Sequence, residues 1–124
     1  MDKFQAIFEI LYFMAAVDGD VDPREIDVIN TFLDANYGNV NFDAREVAAS
    51  LMTLTADGMV EELTRAAIAF KNSSTAKDRT TVLDFALQLI AADGRITESE
   101  RKLFLILGSL WNIDMPSYLA SKGL

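Results

Sequence analysis

Two stretches of this chain are near-copies of each other. "AAVDGDVDPREIDVI" spans residues 15–29, and "IAADGRITESERKLF" spans residues 90–104. Laid one over the other, Ala16, Asp18, Gly19 and Glu25 coincide with Ala91, Asp93, Gly94 and Glu100. Val21 coincides with Ile96, Ile29 with Phe104 and Phe32 with Leu107; upstream, Phe8 pairs with Leu83, Glu9 with Asp84 and Met14 with Leu89. Residues 3–35 and 78–110 therefore read as two copies of one helix–loop–helix unit. Each copy has one apolar face to bury, so the duplication predicts a fold in which the two halves cover each other.

Helical spacing of apolar residues runs through the rest of the chain, and no segment alternates with period two. The first helix carries Phe4, Ile7, Phe8, Leu11 and Met14 on one stripe and Ile10, Phe13 and Val17 on another, which predicts a central helix buried on most sides. The second opens on "DPRE", with Asp22 as N-cap, Pro23 in the first turn and Glu25 closing a capping box; Ile26, Ile29, Phe32 and Leu33 face inward. Asp43 caps a third helix with Val47, Leu51 and Met52 inward. A fourth runs from about Met59 to Phe70 with Val60, Leu63, Ala67 and Phe70 on its buried face. "KNSSTAKD" has the composition of a loop, and a fifth helix then reaches about Ala92. The sixth opens on "TESE" and buries Leu103, Ile106, Leu107 and Leu110; Asp114 or a neighbour caps a short seventh around 116–120. The expected fold is all-α, a compact bundle of about seven helices built from two related helix–loop–helix halves, with residues 1–124 as a single domain.

Composition narrows the function classes. The formal charge of −8 disfavours phosphate backbones, so nucleic acid is not an expected partner, whereas cations and basic protein surfaces are. With no Cys and no His, the chain has no disulfide, thiolate zinc site or imidazole base. Its N-terminal stretch carries Asp2 and Glu9 and reads as a core helix, not a signal peptide, and nothing is long and apolar enough for membrane insertion. The carboxylates lie on helix-linking loops, Ser and Tyr have no evident base, and no enzymatic activity or organic cofactor is expected. A chain this apolar is compatible with homodimerisation.

The acidic loops have two explanations. Turn chemistry covers most of the pattern: Glu25 and Glu100 stand at capping-box positions after Asp22 and Thr97, Val21 and Ile96 suit hydrophobic staples, and Gly19 and Gly94 free the backbone. It covers Asp18 and Asp93 less well, because each follows a helix whose C-terminal dipole end disfavours negative charge. The alternative is a hard divalent cation, Ca2+ or Mg2+, held by Asp18 and Glu25 with Asp20, Asp22 or backbone carbonyls, and by Asp93 and Glu100 in the second copy. An EF-hand is excluded by spacing: counted from Asp18, the required glycine is Pro23 and the bidentate glutamate is Ile29. A third "ADG" at Ala56–Gly58 lacks the glutamate, and Asp57 is expected to serve a turn or cap.

The paired "ADG-x-[VI]-x-x-x-E" loops, the helical pattern and the "LGSLWNID" ending resemble the TerB-like family, which includes the N-terminal domain of the co-chaperone DjlA. The resemblance covers nearly the whole chain. It implies a seven-helix bundle of two related halves and a cytoplasmic bacterial protein tied to tellurite resistance or membrane-linked stress responses. It also implies metal binding at the acidic loop positions, here Asp18 and Glu25, and Asp93 and Glu100. The second loop departs from the pattern at Arg95, which would weaken a cation there, and the lack of a J domain or anchor argues against DjlA itself.

Overall fold

A computed structural model describes all residues of the chain except 18, 20, 39–41, 92 and 93. Among the described residues there are seven helices and no strand: α1 (Lys3–Ala16), α2 (Pro23–Tyr37), α3 (Ala44–Leu51), α4 (Ala56–Ser73), α5 (Ala76–Ile90), α6 (Glu98–Trp111) and α7 (Met115–Ser121). Each helix starts on a side chain that accepts a hydrogen bond from a free backbone N–H of its first turn. These caps are Asp2, Asp22, Asp43, Thr55, Thr75, Thr97 and Asp114. Each such cap contributes about 1 kcal/mol.

The central position expected for α1 is observed. Every residue from Ala6 to Met14 is buried, so the helix has no solvent face over that length. It packs against α2, α3, α4 and α5, most extensively against α4, while α6 packs on α4 and α7 on α6. Phe32 of α2 stacks on Phe85 of α5, with ring centroids 4.0 Å apart and an angle of 16° between the planes. This offset aromatic pair joins the two halves. The Lys3 ammonium lies 3.1 Å from Asp78 and ties the start of α1 to α5.

The second half closes with α6 and α7. Phe70 and Trp111 meet edge to face at 5.6 Å, and the buried Trp111 indole N–H donates to the Ala67 carbonyl at 2.9 Å. The chain then reverses tightly. A Cβ on Gly108 would lie 2.9 Å from the Ile113 carbonyl oxygen and 2.9 Å from Met115 Cβ, so the approach of α7 to α6 requires glycine there. The Tyr118 hydroxyl donates to Asp84 Oδ1 at 2.5 Å, and Lys122 pairs with the same oxygen at 3.1 Å, docking α7 on α5. Burial first, and the Asp84 carboxylate second, hold the Tyr118 phenol well above its ordinary pKa.

Several details differ from the sequence expectation. Met52 is 67% exposed because α3 ends at Leu51, which takes the next position off the buried stripe. Val60 is 50% exposed; α4 starts earlier than its periodicity suggests, and Leu63, Ala66, Ala67 and Phe70 form its inner face. The third "ADG" lies inside the first turn of α4 behind the Thr55 cap, where Asp57 faces the positive end of the helix dipole. The loop expected across "KNSSTAKD" shrinks to residues 74 and 75, because Arg79 reaches back to the Lys71 and Ser74 carbonyls at 3.4 and 3.1 Å and closes the turn.

Candidate functional site

The two repeated loops share a turn hydrogen bond and a capping-box glutamate, while their glycines differ in backbone conformation, with φ of 153° at Gly19 and 81° at Gly94. The Gly19 N–H donates to the Ala16 carbonyl at 3.1 Å, and the Gly94 N–H donates to the Ala91 carbonyl at 2.9 Å. The left-handed conformation of Gly94 suits glycine. Each loop then delivers the chain to a capping box. The Asp22 N–H donates to Glu25 Oε1 at 3.1 Å, and the Thr97 N–H donates to Glu100 Oε1 at 2.8 Å. In the second copy the Glu100 N–H completes the exchange with Thr97 Oγ1 at 3.1 Å.

Asp22 departs from its counterpart Thr97. Its Oδ1 accepts from the Arg24 backbone N–H at 2.8 Å and from Arg24 Nε at 3.2 Å, while Oδ2 accepts from Arg24 Nη2 at 3.0 Å. The guanidinium, seconded by the backbone bond, holds the Asp22 carboxyl below its ordinary pKa and raises that of Arg24. With both oxygens engaged by a cation of the chain itself, Asp22 is a poor ligand for a metal ion. Glu25 and Glu100 fit that role better. Capping uses Oε1 of each, so Oε2 remains as an acceptor on a carboxylate whose position is already fixed. Glu100 is buried and Glu25 half-buried.

Of the residues that the sequence marks as cation ligands, Asp22, Glu25 and Glu100 are therefore placed, each in a helix-start role. Asp18, Asp20 and Asp93 lie outside the described residues, and so does the meeting of Asp18 with Glu25 or of Asp93 with Glu100. Among the described residues no three carboxylates gather closely enough to hold a metal ion.

Two surface features have no counterpart in the sequence pattern. Beside the first loop, Tyr12, Ala16, Gly19, Val21, Met52 and Met59 line a shallow depression of about 200 Å3, with Met52 at its rim. A second open depression of about 460 Å3 is bordered by Asp84, Gln88 and Lys122, and the Asp84 and Lys122 charges already pair with each other. Neither can be read from periodicity, since the first combines α1, α4, the first loop and Met52, and the second combines α5, the loop after it and the residues that follow α7.

Over residues 4–115 the chain matches the family described as tellurite resistance protein TerB. Neither curated proteins nor solved structures give a match.

Proposed function

The chain belongs to the TerB family, and we propose that it serves as a tellurite-resistance-related domain whose two acidic loops bind a hard divalent cation, calcium or magnesium. The supporting observation is the repeated capping geometry: Glu25 and Glu100 are each fixed through Oε1, leaving a second oxygen beside a loop that carries Asp18 in one copy and Asp93 in the other. Hard cations gather oxygens of this kind, and a carboxylate already ordered by its cap loses less entropy on coordination. The reading is non-enzymatic. Arg95 makes the second loop the weaker of the two.

Amide spectra of the 15N-labelled chain, titrated with calcium and then magnesium, test the reading. Gly19 and Gly94 are expected to move, Gly19 at the lower concentration. If neither moves at millimolar metal, the cation role is lost.

A second reading, a metal-free protein-interaction domain, draws on Met52, which is 67% exposed at the rim of an apolar depression. A contact site needs contiguous apolar surface, and here Met52 and Met59 supply the flexible apolar side chains beside the first loop. With a net charge of −8, the fitting partner is a basic amphipathic helix. Methyl signals of Met52 and Met59 that ignore such a peptide would remove it.

A further inference from the structure

Among the described residues, one buried acid has an unsatisfied oxygen. Glu9, in the middle of α1, is 1% exposed. Its Oε2 accepts from the Gln5 side-chain amide at 2.9 Å, and among the described residues its Oε1 has no hydrogen-bond donor. What lies within hydrogen-bonding reach is the Glu62 carboxyl, on α4, the helix that packs most extensively on α1. Two ionised carboxylates offer only acceptors, so a bond between them exists only if one carries a proton.

Among the described residues the surroundings supply no other neutralising group. Arg65, also on α4, is the nearby cation, but its guanidinium lies 3.0 Å from Glu62 Oε1 and its side chain is 74% exposed. Lys3, at the start of α1, is held by Asp78. The inner faces that α2, α3 and α5 contribute to the core are apolar: Ile26, Ile29 and Leu33; Ala44, Ala48 and Leu51; Val82, Leu83, Ala86 and Leu87. The charged groups acting on Glu9 are therefore Glu62, which opposes its ionisation, and Arg65, which favours it less strongly. Glu62 has 19% of its side chain exposed, which gives the pair a route for exchange with solvent.

We propose that Glu9 and Glu62 bind a single shared proton in the seam between α1 and α4, and that loss of this proton loosens α4 from α1. Burial, with the Glu62 contact second, moves the Glu9 carboxyl from its ordinary 4.5 to about 8. The folded-state value exceeds the unfolded one, so the linked stability is complete below about pH 4.5. It is lost progressively as pH rises through about 8, and levels off above. The neutral range lies within that window, which makes the seam responsive to alkalinity.

The carboxyl 13C signals of Glu9 and Glu62, followed in the full chain from pH 4 to 10, test the shared proton. Glu9 is expected to stay protonated past neutrality, with a midpoint near 8 that drops by one unit or more in Glu62→Gln. A Glu9 midpoint below about 5.5, or one that Glu62→Gln leaves in place, would overturn the proposal. For the loosening, Trp111 is the single tryptophan and its indole is bonded to α4, so its fluorescence reports on that helix. The urea midpoint is expected to fall between pH 5 and 8, and that fall is expected to vanish in Glu9→Gln. An identical pH profile in wild type and Glu9→Gln rejects the coupling. If Glu9→Gln does not fold, the same comparison is made with Glu62→Gln, whose fall is expected to be smaller than that of wild type; an equal fall rejects the coupling.

Discussion

The Trp111 indole N–H donates to the Ala67 carbonyl at 2.9 Å across the packing of α6 on α4, while the same ring meets Phe70 edge to face. Replacing Trp111 by Phe keeps an aromatic contact but removes the bond and part of the ring volume. The expected cost is about 1–3 kcal/mol. Urea unfolding followed by circular dichroism measures it, and an unchanged midpoint would mean that the bond contributes nothing net.

Gly108→Ala tests the tight reversal into α7. A methyl group there meets a backbone oxygen and Met115 Cβ, both at 2.9 Å, and neither is a flexible side-chain tip. The expected destabilisation is about 1–3 kcal/mol, the usual cost of overpacking. Amide exchange is expected to rise first in α7, because that helix can move away with the least disturbance of α1. Uniform loss of protection over all helices would contradict this.

Glu25→Gln separates the two roles of the first loop. The amide oxygen still accepts from the Asp22 N–H. Stability without metal is therefore expected to stay within about 0.5 kcal/mol of wild type, the usual range for a change that breaks no buried contact. The metal-induced shift at Gly19 is expected to shrink tenfold or more, since a neutral amide replaces a carboxylate ligand. Thr97→Ala provides the contrast: it removes a cap at a cost of about 1 kcal/mol and leaves the Glu100 charge in place.

Asp78 contributes on the acid side. The Thr75 backbone N–H, then the Lys3 ammonium, hold the Asp78 carboxyl below its ordinary pKa. A depressed carboxyl contributes stability that is present above the unfolded value and disappears as pH falls through the folded one. Asp78→Asn is therefore expected to be less stable than wild type at neutral pH, with the gap closing below about pH 4. A gap that persists unchanged at pH 2 would indicate a role that does not depend on charge.

Much of this architecture is legible in the residues. The caps Asp22, Asp43 and Asp114 stand where the chain announces helix starts, because a cap is a local interaction between neighbours in sequence. The central place of α1 is legible for a similar reason: apolar residues on every side leave it no solvent face. Met52 and Val60 escape such a reading because periodicity gives the phase of a helix but not where its partner ends. Glu9 illustrates a different limit. An acid in an apolar run announces a burden but not what relieves it, and its neighbour Glu62 is brought to it only by the packing of α4. At the loops, turn chemistry uses Oε1 of Glu25 and Glu100, and Arg24 with its backbone N–H uses both oxygens of Asp22, so the sequence pattern at these three residues is met without calling on an ion.

The capping boxes at Asp22 and Thr97 carry a consequence for how such a molecule arises. Each box lies inside the repeated unit, at the start of its second helix, so a copy of the unit brings that helix start with it, whereas the caps of the first helices, Asp2 and Thr75, come from the flanking residues. The two copies meet through α1 and α5, and α4, which belongs to neither copy, covers both α1 and α6. A helix start that travels with the copied segment makes doubling of such a unit physically easy, with α3 and α4 set between the two copies.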